Sequence, residues 1–167
     1  SEIDNYGDGL TASLKASLVT AIGPEYAKRL KSAERLAVRL LERRTPEELE
    51  IYPQIVATAH AIIAEGFSNQ VITPGATTTE DVVWWMRQRL ADLGLDTWFH
   101  TDVDVQREGV DLSDSASVLI QRGDVLHCDF GITALGLNTD TQHMGYVLRA
   151  GERQPPAGLV RALRNGN

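Results

Sequence analysis

Two aspartates in the last third of the chain, Asp129 and Asp140, have the residue type and spacing that best predict chemistry. Each lies in a run of strand-forming residues, and a short glycine-containing segment at residues 133–136 joins the two runs. If the runs pair as an antiparallel hairpin about their midpoint, Asp129 lies directly opposite Asp140, with the two Cβ atoms roughly 5 Å apart. Two carboxylates that close repel each other unless a proton or a cation lies between them, and paired oxygen ligands suit divalent metal ions. We therefore interpret the hairpin as half of a metal site; two polar residues that merely flank a turn are the alternative.

Two histidines near the aspartates are candidates for supporting a metal ligand or contacting a substrate. His127 precedes Asp129 by two residues, so both side chains project from the same face of a strand. His143 follows Asp140 by three residues. A purely structural role is the alternative for each histidine. Asp124 fits a turn residue, and no residue is assigned as a catalytic acid, base or nucleophile.

The composition is typical of a soluble globular domain, because 43% of the 167 residues are hydrophobic and 23% are charged. The formal net charge of -7 argues against a nucleic-acid surface. No apolar run approaches the roughly 20 residues that a membrane span needs, and no signal-peptide pattern is visible. A single cysteine, Cys128, excludes an internal disulfide and a cysteine-based zinc site. We expect a cytoplasmic protein that binds neither nucleic acid nor membranes.

Five segments have the spacing of apolar residues that is typical of helices. The first begins at Leu10 and should stop at the Gly-Pro pair of residues 23–24, and Ser32 could cap the second. The third has the strongest start signal, Thr45-Pro46-Glu47-Glu48, which combines an N-cap, a first-turn proline and a capping box. It should run to about residue 65. Residues 77–80 repeat the capping-box pattern before a fourth helix at 82–93, and a fifth starts at residue 157.

The strand candidates are residues 98–105, 118–120, 125–132 and 137–148. Because helices come first and a group of strands joined by short connections follows, the order predicts an α+β fold with an antiparallel sheet.

Three stretches of the chain resemble the catalytic domain of the creatinase and methionine aminopeptidase family, and the closest branch is aminopeptidase P, the Xaa-Pro aminopeptidases. They are residues 73–81, with a Pro-Gly turn before a helix, residues 122–131, which run through Gly-Asp into Asp-Phe-Gly, and residues 136–141. The family carries a second aspartate eleven residues after the first, which is the spacing found here (140 minus 129). The resemblance covers roughly residues 32–167 and implies part of the family's pita-bread fold. Residues 1–31 resemble the tail of a preceding N-terminal domain.

By this resemblance, Asp129 binds one divalent metal ion and Asp140 bridges two, with manganese expected first and cobalt, zinc or iron as alternatives. The ions would activate a water for attack on an N-terminal peptide bond, above all an Xaa-Pro bond. The family's other ligands, one histidine and two glutamates, lie well downstream of the second aspartate. Only 27 residues follow Asp140 (167 minus 140), so we expect the first half of a catalytic domain, inactive alone. A peptide substrate is implied, and the uncovered edge and apolar face of half a domain predict a homodimer.

The sequence departs from the family in two further places. The family's substrate-contacting histidine is missing, because Asp111 and Leu112 occupy the corresponding positions. After the second aspartate the family tends to carry Thr-Arg, whereas this chain has Thr141-Gln142-His143. A non-catalytic binding module and a creatinase-type hydrolase therefore stay open as alternatives. The retained aspartate pair favours an enzyme, because a binding module has no need of two opposed charges.

Overall fold

The helices follow the sequence signals closely in a computed structural model that describes residues 9–112 and 115–166. The first predicted stop, at Gly23, is a kink rather than an end: Gly23 has φ 77°, and a second helical piece follows it. The helices are α1 (Ala12–Ala27), α2 (Glu34–Glu42), α3 (Pro46–Gly66), α4 (Thr79–Asp92) and α5 (Ala157–Gly166).

Reciprocal capping hydrogen bonds begin α3 where the sequence predicts them. The Thr45 backbone N–H donates to Glu48 Oε2 at 2.7 Å, and the Glu48 N–H donates to Thr45 Oγ1 at 3.2 Å. The capping box of α4 forms one residue later than predicted, between Thr78 and Asp81. The physical reason is that Thr77 Oγ1 accepts the N–H of Thr73 at 2.9 Å, so this hydroxyl closes the preceding turn.

The first, second and fifth strands along the chain form an antiparallel three-stranded sheet in that spatial order, and the third and fourth strands form a separate two-stranded ribbon. Helices packed on an antiparallel sheet confirm the α+β prediction. The predicted strand at 118–120 was wrong, because Leu119 makes only an isolated bridge to Thr78. The predicted strand at 137–148 is divided in two at Thr139 and Asp140. The strands are β1 (Asp102–Gln106), β2 (Val125–Phe130), β3 (Thr133–Ala134), β4 (Leu137–Asn138) and β5 (Thr141–Tyr146).

One face of the three-stranded sheet packs in the hydrophobic core, while the other stays accessible among the described residues. Burial alternates along β1 and β2, so that the apolar residues of each strand share the covered face. The opposite face carries Asp102, Asp104, His127 and Asp129. The buried residues that α3, α4 and these two strands contribute to the core are Ile55, Ala59, Ile62, Ile63, Val82, Val83, Met86, Leu90, Val103, Val105, Leu126, Cys128 and Phe130.

The chain divides into two units, Ser1–Leu49 and Glu50–Asn167. The core described above belongs to the second unit. In the described part of the first unit no residue is buried, and the α2 residues Leu36 and Leu40 are 73% and 76% exposed. The predicted domain boundary after residue 31 stays a prediction. Within the described ranges, no helix combines the length and the apolar character that a membrane crossing requires.

Asp124 is a buried ion-pair partner, not the simple turn residue that the sequence pattern indicates. It is 1% exposed, and Arg107 binds it through two hydrogen bonds, Nε to Oδ1 and Nη2 to Oδ2, both 2.8 Å. The Gln121 backbone N–H donates to Asp124 Oδ2 at 2.7 Å. The hydrogen bonds that Arg107 donates to Asp124 raise the pKa of Arg107. This ion pair links the residue after β1 to the residue before β2.

Replacement of Asp124 by Ala should lower the free energy of unfolding by about 3 kcal/mol, because the Arg107 guanidinium and the Gln121 N–H lose their acceptor. The measurement is urea denaturation. Glu108→Gln is the control, since the 95% exposed Glu108 side chain lies 3.9 Å from Arg149 and should contribute less than about 0.5 kcal/mol. Equal effects of the two substitutions would contradict a structural role for the Arg107–Asp124 pair.

Candidate metal site

A two-residue turn sets the register of the hairpin that carries both aspartates. Leu135 has φ 54° and Gly136 has φ 76°, so both turn residues adopt the left-handed conformation of a tight hairpin turn. Glycine accepts this conformation without steric cost, which suits the second turn position. The turn pairs Ala134 with Leu137, and the same register continues into β2 and β5.

This register corrects the predicted pairing of the aspartates. Asp129 lies directly opposite Gln142 on β5 and not opposite Asp140. The hairpin midpoint falls between residues 135 and 136, one position later than the sequence prediction assumed. Asp140 lies just before β5, two residues from Gln142, and is therefore a diagonal neighbour of Asp129. The shift moves the pairing by two residues on one strand, and residues two apart project from the same face. The two carboxylates therefore still interact.

The Asp129 carboxyl is the most electrostatically stressed group on the accessible face. Burial raises its pKa above the ordinary value of 3.8, and repulsion from Asp140 raises it further. Hydrogen bonding with Asp140 and the negative charge of Asp102 also raise the pKa of Asp129, while the charge of His127 lowers it. Asp129 Oδ1 is buried without a hydrogen-bond donor among the described residues. Two ionised carboxylates can only accept, so a proton or a cation must lie between them to relieve the repulsion.

Asp102 is a neighbour of Asp129 that sequence reasoning missed. It lies on β1 directly opposite Asp129, on the other side from Gln142. The signal was available in the alternating Asp102-Val103-Asp104 of β1, which places two carboxylates on one face. Asp129 thus faces Asp102 on the β1 side, and on the β5 side it faces Gln142 with Asp140 as a diagonal neighbour.

Gln142 lies within hydrogen-bond distance of both His127 and Asp129. Gln142 Nε2 lies 3.4 Å from Asp129 Oδ2 as a long hydrogen bond, and Gln142 Oε1 lies 3.2 Å from His127 Nε2. If the Gln142 amide donates to Asp129, its oxygen faces the histidine, so His127 Nε2 must carry a proton. His127 Nδ1 lies 3.8 Å from Asp104 Oδ2. This arrangement suits the supporting role that the sequence suggested for His127.

His143 lies on the covered face of the sheet, away from Asp129. It pairs with Cys128 across β2 and β5, and its ring packs edge-on against His60 of α3, with 4.7 Å between the ring centroids. His143 therefore makes packing contacts on the covered face, and the substrate contact expected for it from the sequence stays a prediction. Burial raises the pKa of the neighbouring Cys128 thiol to about 11, so this cysteine is not a nucleophile at neutral pH.

The donor set fits a divalent cation in part. Two interacting carboxylates with one unpartnered buried oxygen are what a hard or borderline metal ion would bind. Within residues 9–112 and 115–166, however, no group of three or more His, Cys, Asp or Glu side chains converges as a complete metal site. Asp129 and Asp140 would therefore supply only part of the coordination sphere of such an ion.

Comparisons with known proteins place this geometry on a known fold. No protein-family model and no curated protein matches the chain. The X-Pro aminopeptidase from Thermotoga maritima MSB8 matches 93% of this chain and 42% of its own, with a TM-score of 0.59 and 17% identity. A protein described as a putative aminopeptidase P, from Bacillus anthracis, matches 89% of this chain and 35% of its own, with a TM-score of 0.65 and 18% identity.

These matches show that the chain has the fold of part of an aminopeptidase P structure, which confirms the fold that the motif resemblance implied. The chain spans 42% and 35% of the lengths of the two proteins. At 17% and 18% identity the similarity establishes the fold and leaves the activity to be tested.

Acidification should destabilise the protein through His143. Burial lowers the pKa of His143 below the ordinary value of 6.5, and the nearby His60 lowers it further. The unfolded state then binds the proton more readily, so stability present above that ordinary value is lost as the pH falls through and below it. Urea denaturation at several pH values should show a flatter dependence for His143→Gln than for the wild type. His100→Gln, at an exposed histidine, is the control for the loss of an imidazole, and equal slopes in all three proteins would contradict the prediction.

Proposed function

We propose that this chain is part of a metal-dependent aminopeptidase that hydrolyses N-terminal peptide bonds, with a preference for Xaa-Pro bonds. The observation that carries the proposal is the stressed carboxylate of Asp129 beside Asp140, which has a buried oxygen without a donor. The support from the fold is its similarity to two structures described as an X-Pro aminopeptidase and an aminopeptidase P.

Asp129 and Asp140 would hold divalent metal ions, with manganese as the first candidate and cobalt, zinc and iron as alternatives. Such ions, when bound, supply a water of lowered pKa and polarise the scissile carbonyl. Gln142 would keep the Asp129 carboxylate turned toward the metal through its amide, and His127 would fix the orientation of that amide. Because two carboxylates leave most coordination positions unfilled, we place the remaining ligands outside this chain.

A non-catalytic peptide-binding module is the second candidate. It is favoured by Asp111 and Leu112, which occupy the positions of the family's substrate histidine. A creatinase-type hydrolase would use the same aspartates and differ in substrate. We also propose a homodimer, because β5 is an edge strand of the sheet in the described residues and an edge strand can pair with a second chain. Metal binding separates the enzyme candidates from the binding module.

Manganese should bind weakly to this chain, and Asp140→Asn should abolish that binding. The reason is that Asn offers one neutral oxygen and cannot share a cation with Asp129. The measurement is the loss of the free Mn²⁺ electron paramagnetic resonance signal on titration with protein. Asp92→Asn, on the end of α4, is the control with the same chemical change and should bind as the wild type does. Equal binding by the wild type and Asp140→Asn would remove the proposed metal role.

Peptidase activity in the complete protein should fall by several orders of magnitude in Asp140→Asn. As a ligand shared by the metal ions, Asp140 would hold both the attacking water and the carbonyl-polarising ion in place, so the effect of its loss should exceed that of losing a substrate contact. The assay is hydrolysis of an Xaa-Pro peptide with added Mn²⁺. A substitution of Asp124 cannot serve as the control, because the loss of its buried ion pair would itself destabilise the fold. The control is Trp84→Phe, at an exposed residue, and this variant should retain activity. Wild-type activity in Asp140→Asn would contradict the proposal.

A further inference from the structure

Two aromatic side chains bind consecutive backbone carbonyl oxygens immediately ahead of Asp140. The Tyr52 hydroxyl of α3 donates to the Asn138 carbonyl at 2.8 Å. The Trp98 indole Nε1–H donates to the Thr139 carbonyl at 2.8 Å. The two donors come from elements far apart in sequence and converge on two neighbouring peptide groups. Trp98 is 51% exposed, so core packing does not by itself explain a tryptophan at this position.

The backbone that meets these donors is also held against the end of β2. The Thr139 N–H donates to the Ile132 carbonyl at 2.9 Å, and the Ile132 N–H donates to Thr139 Oγ1 at 3.0 Å. Gly131 permits this approach, because a Cβ there would collide with the Thr139 carbonyl oxygen and the Phe99 ring. Asp140 itself lies between β4 and β5, outside both strands. Its position therefore depends on how firmly the residues before it are fixed.

We propose that Tyr52 and Trp98 are positioning residues that hold the Asn138–Thr139 backbone so that the Asp140 carboxylate stays beside Asp129. The inference rests on the proposed function, in which Asp140 is a metal ligand. Asp140 is exposed and is repelled by Asp129, so a free backbone would let it turn away into water. Two rigid aromatic donors oppose that movement through peptide groups that they fix directly. Residues that orient a metal ligand in this way typically change metal affinity by about 10–100-fold when removed.

The test compares two variants that delete one donor each. Trp98→Phe and Tyr52→Phe remove the indole N–H and the hydroxyl but keep an aromatic ring. Tyr52→Phe deletes a single atom from a half-buried side chain, so it keeps the test available if Trp98→Phe folds poorly. The controls are Trp84→Phe, on the exposed side of α4, and Tyr146→Phe, whose hydroxyl donates to Glu152 at 3.0 Å in the same sheet.

Two readouts are taken for each variant and for Asp140→Asn. The first is amide hydrogen exchange of Thr139 in the metal-free chain, followed by NMR against the exchange of core amides in α3 and α4. The second is Mn²⁺ affinity by electron paramagnetic resonance. We expect both donor deletions to accelerate exchange at Thr139 while the core amides keep their protection, and to weaken Mn²⁺ binding about tenfold. Both controls should leave both quantities at the wild-type values.

The outcomes separate this inference from the proposed function. Unchanged exchange at Thr139 in both donor deletions would overturn the positioning role whatever the metal does. Faster exchange of the core amides as well as Thr139 would also overturn the positioning role, since it would indicate general destabilisation. Faster local exchange with wild-type Mn²⁺ affinity, while Asp140→Asn loses binding, would overturn the positioning role and leave the proposed function standing. Wild-type Mn²⁺ affinity in Asp140→Asn would overturn the proposed function, and with it a metal-positioning role for Tyr52 and Trp98.

Discussion

The register of the β2–β5 hairpin is the constraint on which the candidate site depends. The left-handed turn at Leu135–Gly136 fixes that register. A slip of one residue along β5 would turn Gln142 to the covered face and bring His143 beside Asp129. The apolar residues of β2 resist any slip of that strand, because Cys128 and Phe130 are fully buried. The hydrophobic core therefore determines which face Asp129 occupies, and the turn determines its partners.

A carboxylate pair in this position destabilises the metal-free fold. Asp129 is partly buried, has acidic neighbours on two sides and has one oxygen without a donor among the described residues. The raised pKa means that its ionisation at neutral pH opposes folding. The Asp124 carboxylate is more deeply buried, yet it accepts hydrogen bonds from Arg107 and from a backbone N–H. Arg107 is the counter-charge of Asp124, whereas Asp129 Oδ1 has no hydrogen-bond donor among the described residues.

The helices could be predicted from the sequence because their signals are local. The Thr45–Glu48 capping box and the apolar stripe of α3 are each contained within a few turns. The α4 capping box was placed one residue early, because the sequence cannot show that the Thr77 hydroxyl is already used by Thr73. The starts of α3 and α4 thus followed from local sequence patterns, apart from the competition for the Thr77 hydroxyl.

The candidate site was less predictable than the helices, because the residues around Asp129 and Asp140 come from different elements of the fold. The pairing of Asp129 with Asp140 was expected from symmetric spacing, but backbone geometry at Leu135 and Gly136 decides the register. Asp102 was overlooked, since its proximity depends on how β1 pairs with β2. The hydrogen bonds of Tyr52 and Trp98 to the backbone before Asp140 have no sequence signature, because they join segments that only the tertiary fold brings together.

Anomalous diffraction at the manganese absorption edge, from crystals of the chain grown with Mn²⁺, tests the central claim that Asp129 and Asp140 together bind a metal ion. The claim predicts an anomalous peak within coordination distance of both carboxylates. A peak confined to other acidic residues, such as Asp104 beside His127, or no peak at a Mn²⁺ concentration that saturates the chain in solution, would contradict it.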